Sequence, residues 1–206
     1  KIGITFAQAK TKDKYDLNVE VDEKSTSSVG FDLGYNTTGG VFGRFSFLER
    51  NLVGTDKILN AGVQVSKNTT SYYGGITDPH FLDRDLSLGV SGFINKSGRG
   101  QSVLSNTDQN YRQHSVGGKT SLGYEIKEDL SHEIDYLIKR DTLSAPSPSS
   151  SIFLQEQMGK FITSAIGHTI AYDQRDSKII AKNGYLVSVS QEYAGIGGDN
   201  KYLKHE

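Results

Sequence analysis

The stretch SVGFDLGY, residues 28–35, decides how this chain folds. Val29, Phe31, Leu33 and Tyr35 are apolar, and they alternate with Ser28, Gly30, Asp32 and Gly34. A period of two places the first set on one side of an extended backbone and the second set on the other. The segment is therefore a strand with one greasy face and one face made of small residues and a carboxylate.

The same texture continues outward. GVFGRFSFLE sets Val41, Phe45 and Phe47 against Arg44 and Ser46, and KILNAGVQVSK sets Leu59, Ala61, Val63 and Val65 against Asn60, Gly62, Gln64 and Ser66. SYYGGIT, DLSLGVSGFIN, SVGGKTSLGYEI, SHEIDYLIKR, FITSAIGHTIAYD and YLVSVSQEYA follow, giving nine predicted strands from Ser28 onward. Gly, Asn, Asp and Ser punctuate them. The only helix-like window is IFLQEQMGKFI around the single Met, after a Pro/Ser loop, SAPSPSSS. Upstream, ITFAQAK and KYDLNVEVDE predict a separate hairpin around TKDK, and KSTSS is a polar connector. The class is all-β and antiparallel, with residues 1–27 set apart from residues 28–206.

Composition narrows the setting. The longest uninterrupted apolar runs are only a few residues, so no segment can supply a membrane-spanning helix. Barrel strands alternate and average out as mildly polar, so a membrane setting stays open. The net charge of -1 gives no surplus of cations for nucleic acid. Cys is absent, which removes thiolate chemistry and disulfides. His80, His114, His132, His168 and His205 do not fall at metal-ligand spacing. No G-x-S-x-G elbow occurs, and GIGG at 195–198 lacks the Lys of a phosphate loop and reads as a flexible loop. Asp173, Arg175 and Asp176 read as a turn with local ion pairs, and so do Asp83, Arg84 and Asp85. We expect no enzyme activity and no cofactor. Lys1 in place of Met, and an end directly after a strand, predict a fragment.

A soluble sandwich and a membrane barrel both alternate. Three features favour the barrel. The polar faces are rich in Gly and small residues. Tyr35, Tyr72, Tyr124, Tyr172, Tyr185 and Tyr193 sit near strand ends, where an aromatic girdle lies. The later connections alternate short and long, as in barrels with tight turns on one rim and loops on the other. A soluble all-β binding module is the alternative from a different class.

Three motifs in order, ERNLVGTD at 49–56, TDPHFLDRDLSLGV at 77–90 and YDQRDSKIIAKNGYLVSVS at 172–190, resemble the barrel domain of the BamA family of outer-membrane assembly factors. The stretch before Ser28 resembles the join between a last periplasmic POTRA domain and the first barrel strand. The resemblance implies a sixteen-stranded barrel, of which this chain carries about nine strands. It implies an outer-membrane location with a periplasmic N-terminal segment, unfolded outer-membrane proteins as clients, contact with membrane lipid, and accessory lipoproteins reached through POTRA domains. It also implies a role for the first strand: Ser28, Val29, Gly30, Phe31, Asp32, Leu33, Gly34 and Tyr35 would form a lateral gate that templates client strands, with the apolar set toward lipid and Gly and Asp toward the lumen. A two-partner secretion translocator of the same architecture is the nearest alternative. One departure is the IIAK run at 179–182, where the family often has Pro.

Overall fold

A computed structural model describes residues 2–8, 15–21, 25–36, 40–98, 112–144, 152–178 and 180–206. Strands β1 (Ile2–Gln8) and β2 (Tyr15–Val21) pair as a two-stranded antiparallel sheet, in register from Ile2↔Val21 to Gln8↔Tyr15. This is the predicted hairpin; its TKDK turn lies outside the described residues.

The rest is one ten-stranded antiparallel meander. Its strands are β3 (Ser27–Asn36), β4 (Gly40–Glu49), β5 (Ile58–Ser66), β6 (Thr69–Asp78), β7 (Leu86–Gly98), β8 (Arg112–Lys127), β9 (Leu130–Ser144), β10 (Gly159–Asp173), β11 (Leu186–Ala194) and β12 (Tyr202–His205). Each pairs only with its sequence neighbours, and β3 and β12 are the two ends, so the sheet is not closed. All nine predicted strands are present. The tenth, β12, is too short and too polar to announce itself by alternation; pairing with Gln191–Ala194 of β11 makes it a strand.

Cross-strand pairing merges the alternating patterns into two continuous faces. One row runs Phe31, Phe45, Val63, Tyr72, Ile94 and Val116 across six strands. The adjacent row, on the opposite face, runs Asp32, Arg44, Gln64, Ser71, Asn95, Ser115 and Asp141. A sandwich would cover the apolar face with a second sheet. Here, among the described residues, Ala165 and Ala194 are the only buried hydrophobic side chains. The apolar face is thus uncovered apart from Ser164, which lies buried against Tyr136, and this is the arrangement of a barrel wall whose solvent on that side is lipid. No helix among the described residues is long and apolar enough to cross a membrane.

Four details depart from the sequence reading. β8, β9 and β10 run well beyond their apolar cores, because polar ends such as Arg112–Ser115 and Arg140–Ser144 continue the ladder. The long loops predicted from Lys96 and Asp141 are therefore strand up to Gly98 and Ser144. The helix α1 covers only Ile152–Glu156, and β10 takes over the rest of that window from Gly159. Finally, short and long connections do not alternate cleanly. The rim that carries the tight 128–129 turn also carries the long 174–185 segment.

Of the six Tyr residues predicted near strand ends, Tyr35, Tyr72 and Tyr193 lie on the apolar face toward the rim reached at the ends of β3 and β11, Tyr124 and Tyr172 lie on it toward the rim that follows β8 and β10, and Tyr185 lies in the connection just before β11.

Candidate lateral edge

β3 is held by β4 alone, in register from Ser27↔Glu49 to Asn36↔Gly40. The sequence reading placed all eight candidate residues, Ser28 to Tyr35, on this strand, and the structure puts them on the outermost strand of the sheet. On its free side the backbone N–H and C=O groups have no strand to pair with among the described residues. Val29, Phe31, Leu33 and Tyr35 are 65%, 70%, 71% and 72% exposed, because neighbours flank them on one side only.

The polar side of β3 is thin by construction. A Cβ added to Gly30 would stand 2.5 Å from the Ser46 hydroxyl, and one added to Gly34 would overlap the Phe42 ring. Both glycines thus make room for β4 side chains to lie across β3. Gly34 lets Phe42 cover the backbone that it leaves bare. Asp32 sits opposite Arg44, but the guanidinium turns the other way and donates to Gln64 Oε1, at 3.1 Å from Nε and 2.7 Å from Nη2. No ion pair therefore ties Asp32 to β4. The strand is anchored at its start instead: Ser27 donates its hydroxyl to the Glu49 carboxylate, and the Arg50 N–H donates to the Thr26 carbonyl at 3.1 Å.

The middle of the sheet is built differently. Lys119 reaches Asp135 at 3.4 Å and Glu133 at 3.8 Å, and Lys139 reaches Asp141 at 3.0 Å. Ser115 also donates to Asp141. Gly167 leaves the space that the Asp135 carboxylate occupies. On the apolar face the Tyr136 hydroxyl lies 2.9 Å from that of Ser164, and the Tyr124 hydroxyl lies 2.7 Å from His132 Nδ1. His132 and His168 stack edge to face at 5.6 Å. They are 36 positions apart in the chain, so only strand pairing could reveal this contact.

The sequence motifs turn out to shape one rim. ERNLVGTD and TDPHFLDR form two turns of one design, each a short 3-10 segment with a left-handed apolar residue, Val53 at φ 53° and Leu82 at φ 60°. His80 Nδ1 lies 2.9 Å from Asp56 Oδ2 and ties the two turns together. Asp173 and Arg175 form the predicted ion pair, with both contacts at 2.8 Å. Asp83, Arg84 and Asp85 lie at a turn but form no ion pair among the described residues. GIGG is not a free loop. The Asp199 carboxylate accepts the Ile162 N–H at 2.6 Å, and Asn200 donates to the Thr163 hydroxyl at 2.7 Å. The loop thereby covers the stretch of β10 that β11 leaves unpaired.

The chain is similar to known proteins. The chain is 28% identical over 190 residues to the outer membrane protein assembly factor BamA of Neorickettsia risticii, which covers 92% of this chain and 25% of that protein. It is 25% identical over 208 residues to BamA of Nitratidesulfovibrio vulgaris, covering 99% and 25% respectively. The chain thus spans about a quarter of the length of these relatives. A 59-residue segment is 36% identical to the sorting and assembly machinery component 50 homolog of Xenopus tropicalis. Among solved structures, BamA from Haemophilus ducreyi lacking POTRA domains 1–3 superposes on the whole chain with a TM-score of 0.74 at 17% identity, 41% of that chain being covered. CdiB from Acinetobacter baumannii superposes on 98% of it with a TM-score of 0.52 at 15% identity, with 38% of that chain covered. At such identities these two likenesses concern the fold. The model of the Omp85 superfamily domain matches residues 51–206, and the chain belongs to that superfamily.

Proposed function

We propose that this chain is the N-terminal part of an outer-membrane barrel that inserts and folds other barrel proteins, with β3 as the strand at which a client strand is added. One observation carries this reading. In a chain similar to assembly factors over almost its whole length, the first strand of the sheet pairs with β4 alone among the described residues, and its Ser27–Glu49 side-chain tie lies at its very start, away from Val29–Tyr35. An unpaired backbone edge in a bilayer costs several kcal/mol per group. A client strand that satisfies those groups gains main-chain hydrogen bonds at the same step. Driving energy comes from client folding; no nucleotide, cofactor or catalytic residue takes part. Phe31 and Leu33 face the acyl chains, so an arriving strand meets an apolar surface matched to its own lipid-facing side.

The hairpin β1–β2 is assigned to the end of a periplasmic POTRA domain, with residues 1–27 before the membrane and 28–206 within the barrel. That fixes the orientation. The rim carrying the 50–57, 79–85, 128–129 and 174–185 connections is periplasmic, and the opposite rim is extracellular. Accessory lipoproteins are expected to engage the POTRA domains. The test is site-specific crosslinking in the full-length protein during client assembly. Cysteine placed at Ser28, Asp32 or Asn36 should trap a stalled client through a strand-register ladder. Equal trapping by Cys at Ser71, in the interior of the sheet, would sink the edge mechanism.

A further inference from the structure

The apolar face ends abruptly on one side of the sheet, and only at certain strands. Along β7–β10 the last apolar row, Ile94, Val116 and Ile162, already includes Arg140. The next row outward carries Lys96, His114 and Lys160 alongside Thr142, and the row beyond it carries Arg112. Lys96, Arg112, Arg140 and Lys160 are all exposed and form no salt bridge among the described residues. Neither basic row contains an Asp or Glu. Asp141 is on the opposite face and committed to Ser115 and Lys139, and Asp199, beside this rim, is committed to the Ile162 N–H. A groove of about 410 Å³ opens at this rim, with Lys96, Arg112 and His114 among its walls and the hydroxyls of Thr70, Thr142 and Ser144 beside them. The corresponding rim positions of β3–β5 are Tyr35, Val41 and Val65, without charge.

We propose that this basic rim is a binding site for the phosphate-bearing headgroup of an anionic lipid, whose acyl chains lie on Ile94, Val116 and Ile162 below it. The inference rests on the barrel reading given above. Its occupant follows from placement. Cations lie directly beyond an uncovered apolar belt, so the ligand that satisfies both is amphipathic and anionic. Arg offers two parallel donors to a phosphate, while Lys and the hydroxyls supply single contacts. A soluble anion would gain nothing from the apolar rows, and a nucleic acid would have to lie against lipid.

The test uses the full-length protein in neutral detergent, with retained lipid counted by native mass spectrometry after mixing with dioleoylphosphatidylglycerol and dioleoylphosphatidylcholine. The wild type should keep the anionic lipid in preference to the zwitterionic one. Lys96→Gln with Lys160→Gln, and separately Arg112→Gln with Arg140→Gln, should each lower that preference by roughly tenfold, since every cation near an anionic surface contributes to binding. Lys57→Gln with Lys127→Gln, on the opposite rim, should leave it unchanged. The proposal is overturned if both rim variants keep the wild-type preference, if the control pair loses it equally, or if excess inorganic phosphate displaces the lipid. A wild type that fails to integrate into phosphatidylcholine vesicles would instead overturn the barrel reading itself.

Discussion

The two parts of the sheet, β3–β5 and β8–β10, share one alternating pattern and differ in what crosses between strands. β3 meets β4 through a Gly-relieved contact with Phe42 and through Ser46, and its one carboxylate, Asp32, is left out of the Arg44–Gln64 contact. β8, β9 and β10 are longer and are laced by Lys119 to Asp135, Ser115 to Asp141 and Tyr136 to Ser164. The same backbone ladder therefore has a soft end and a stiff wall. On the proposed reading, a strand that admits a client strand belongs at the soft end. A wall that must keep its shape while that happens needs side-chain ties.

Hydrogen exchange on the full-length protein in detergent offers the largest contrast. Amides of Val29–Tyr35 should exchange on the order of a thousandfold faster than those of Ile134–Ile138, because edge opening is local while wall opening approaches global unfolding. Equal protection would erase the distinction between the two regions.

Substituting the glycines compares the regions directly. A Cβ at Gly167 would stand 2.8 Å from Asp135 Oδ1, and Asp135 is only 9% exposed. Gly167→Val should displace this carboxylate from Lys119 and cost about 3 kcal/mol, because a buried charge loses its partner. Gly34→Val meets only the Phe42 ring, which is able to swing aside at an edge, and should cost about 1 kcal/mol. The midpoints of heat-induced mobility shift report both. If Gly34→Val stiffens β3 as intended, client assembly in cells should fall even though stability changes little.

Comparable with the edge glycine is the effect of Tyr136→Phe, which leaves Ser164 without its phenol partner. About 1 kcal/mol should be lost, readable in the same midpoint. Ser164→Ala combined with Tyr136→Phe should add little more, since one hydrogen bond is being removed twice.

The smallest effect concerns the 174–185 connection, outside the strands. The Asp176 carboxylate accepts backbone N–H groups of Lys182, at 2.9 Å, and Asn183, at 3.2 Å, and these hold its pKa below the usual carboxylate value. A depressed folded pKa means that the contribution is fully present above the unfolded value of about 4 and is lost as pH falls through the folded one. Proteolytic nicking of this loop should rise only below pH of about 4, and Asp176→Asn should raise nicking at neutral pH. A pH-independent nicking rate would remove Asp176 as the loop's anchor.

Alternation alone was enough to reveal nine of the ten strands from Ser27 onward, the polar and apolar faces and the hairpin before Ser28, because side-chain direction in a strand has a fixed period of two. Ordered motifs were enough to show the family resemblance, and the candidate edge residues came only from what that resemblance implies. Sequence could not decide which strands stop and which run on, since polar residues such as Arg140–Ser144 form strand only when a neighbour offers its backbone. β12 and the tethering of Asp199 to Ile162 have the same origin. The gathering of Lys96, His114, Thr142 and Lys160 into one row, and of His132 against His168, likewise depends on register, and register is a property of paired strands. What the tertiary structure decided is which neighbour each strand has: among the described residues β3 pairs with β4 alone, and no local pattern in SVGFDLGY records a pairing partner.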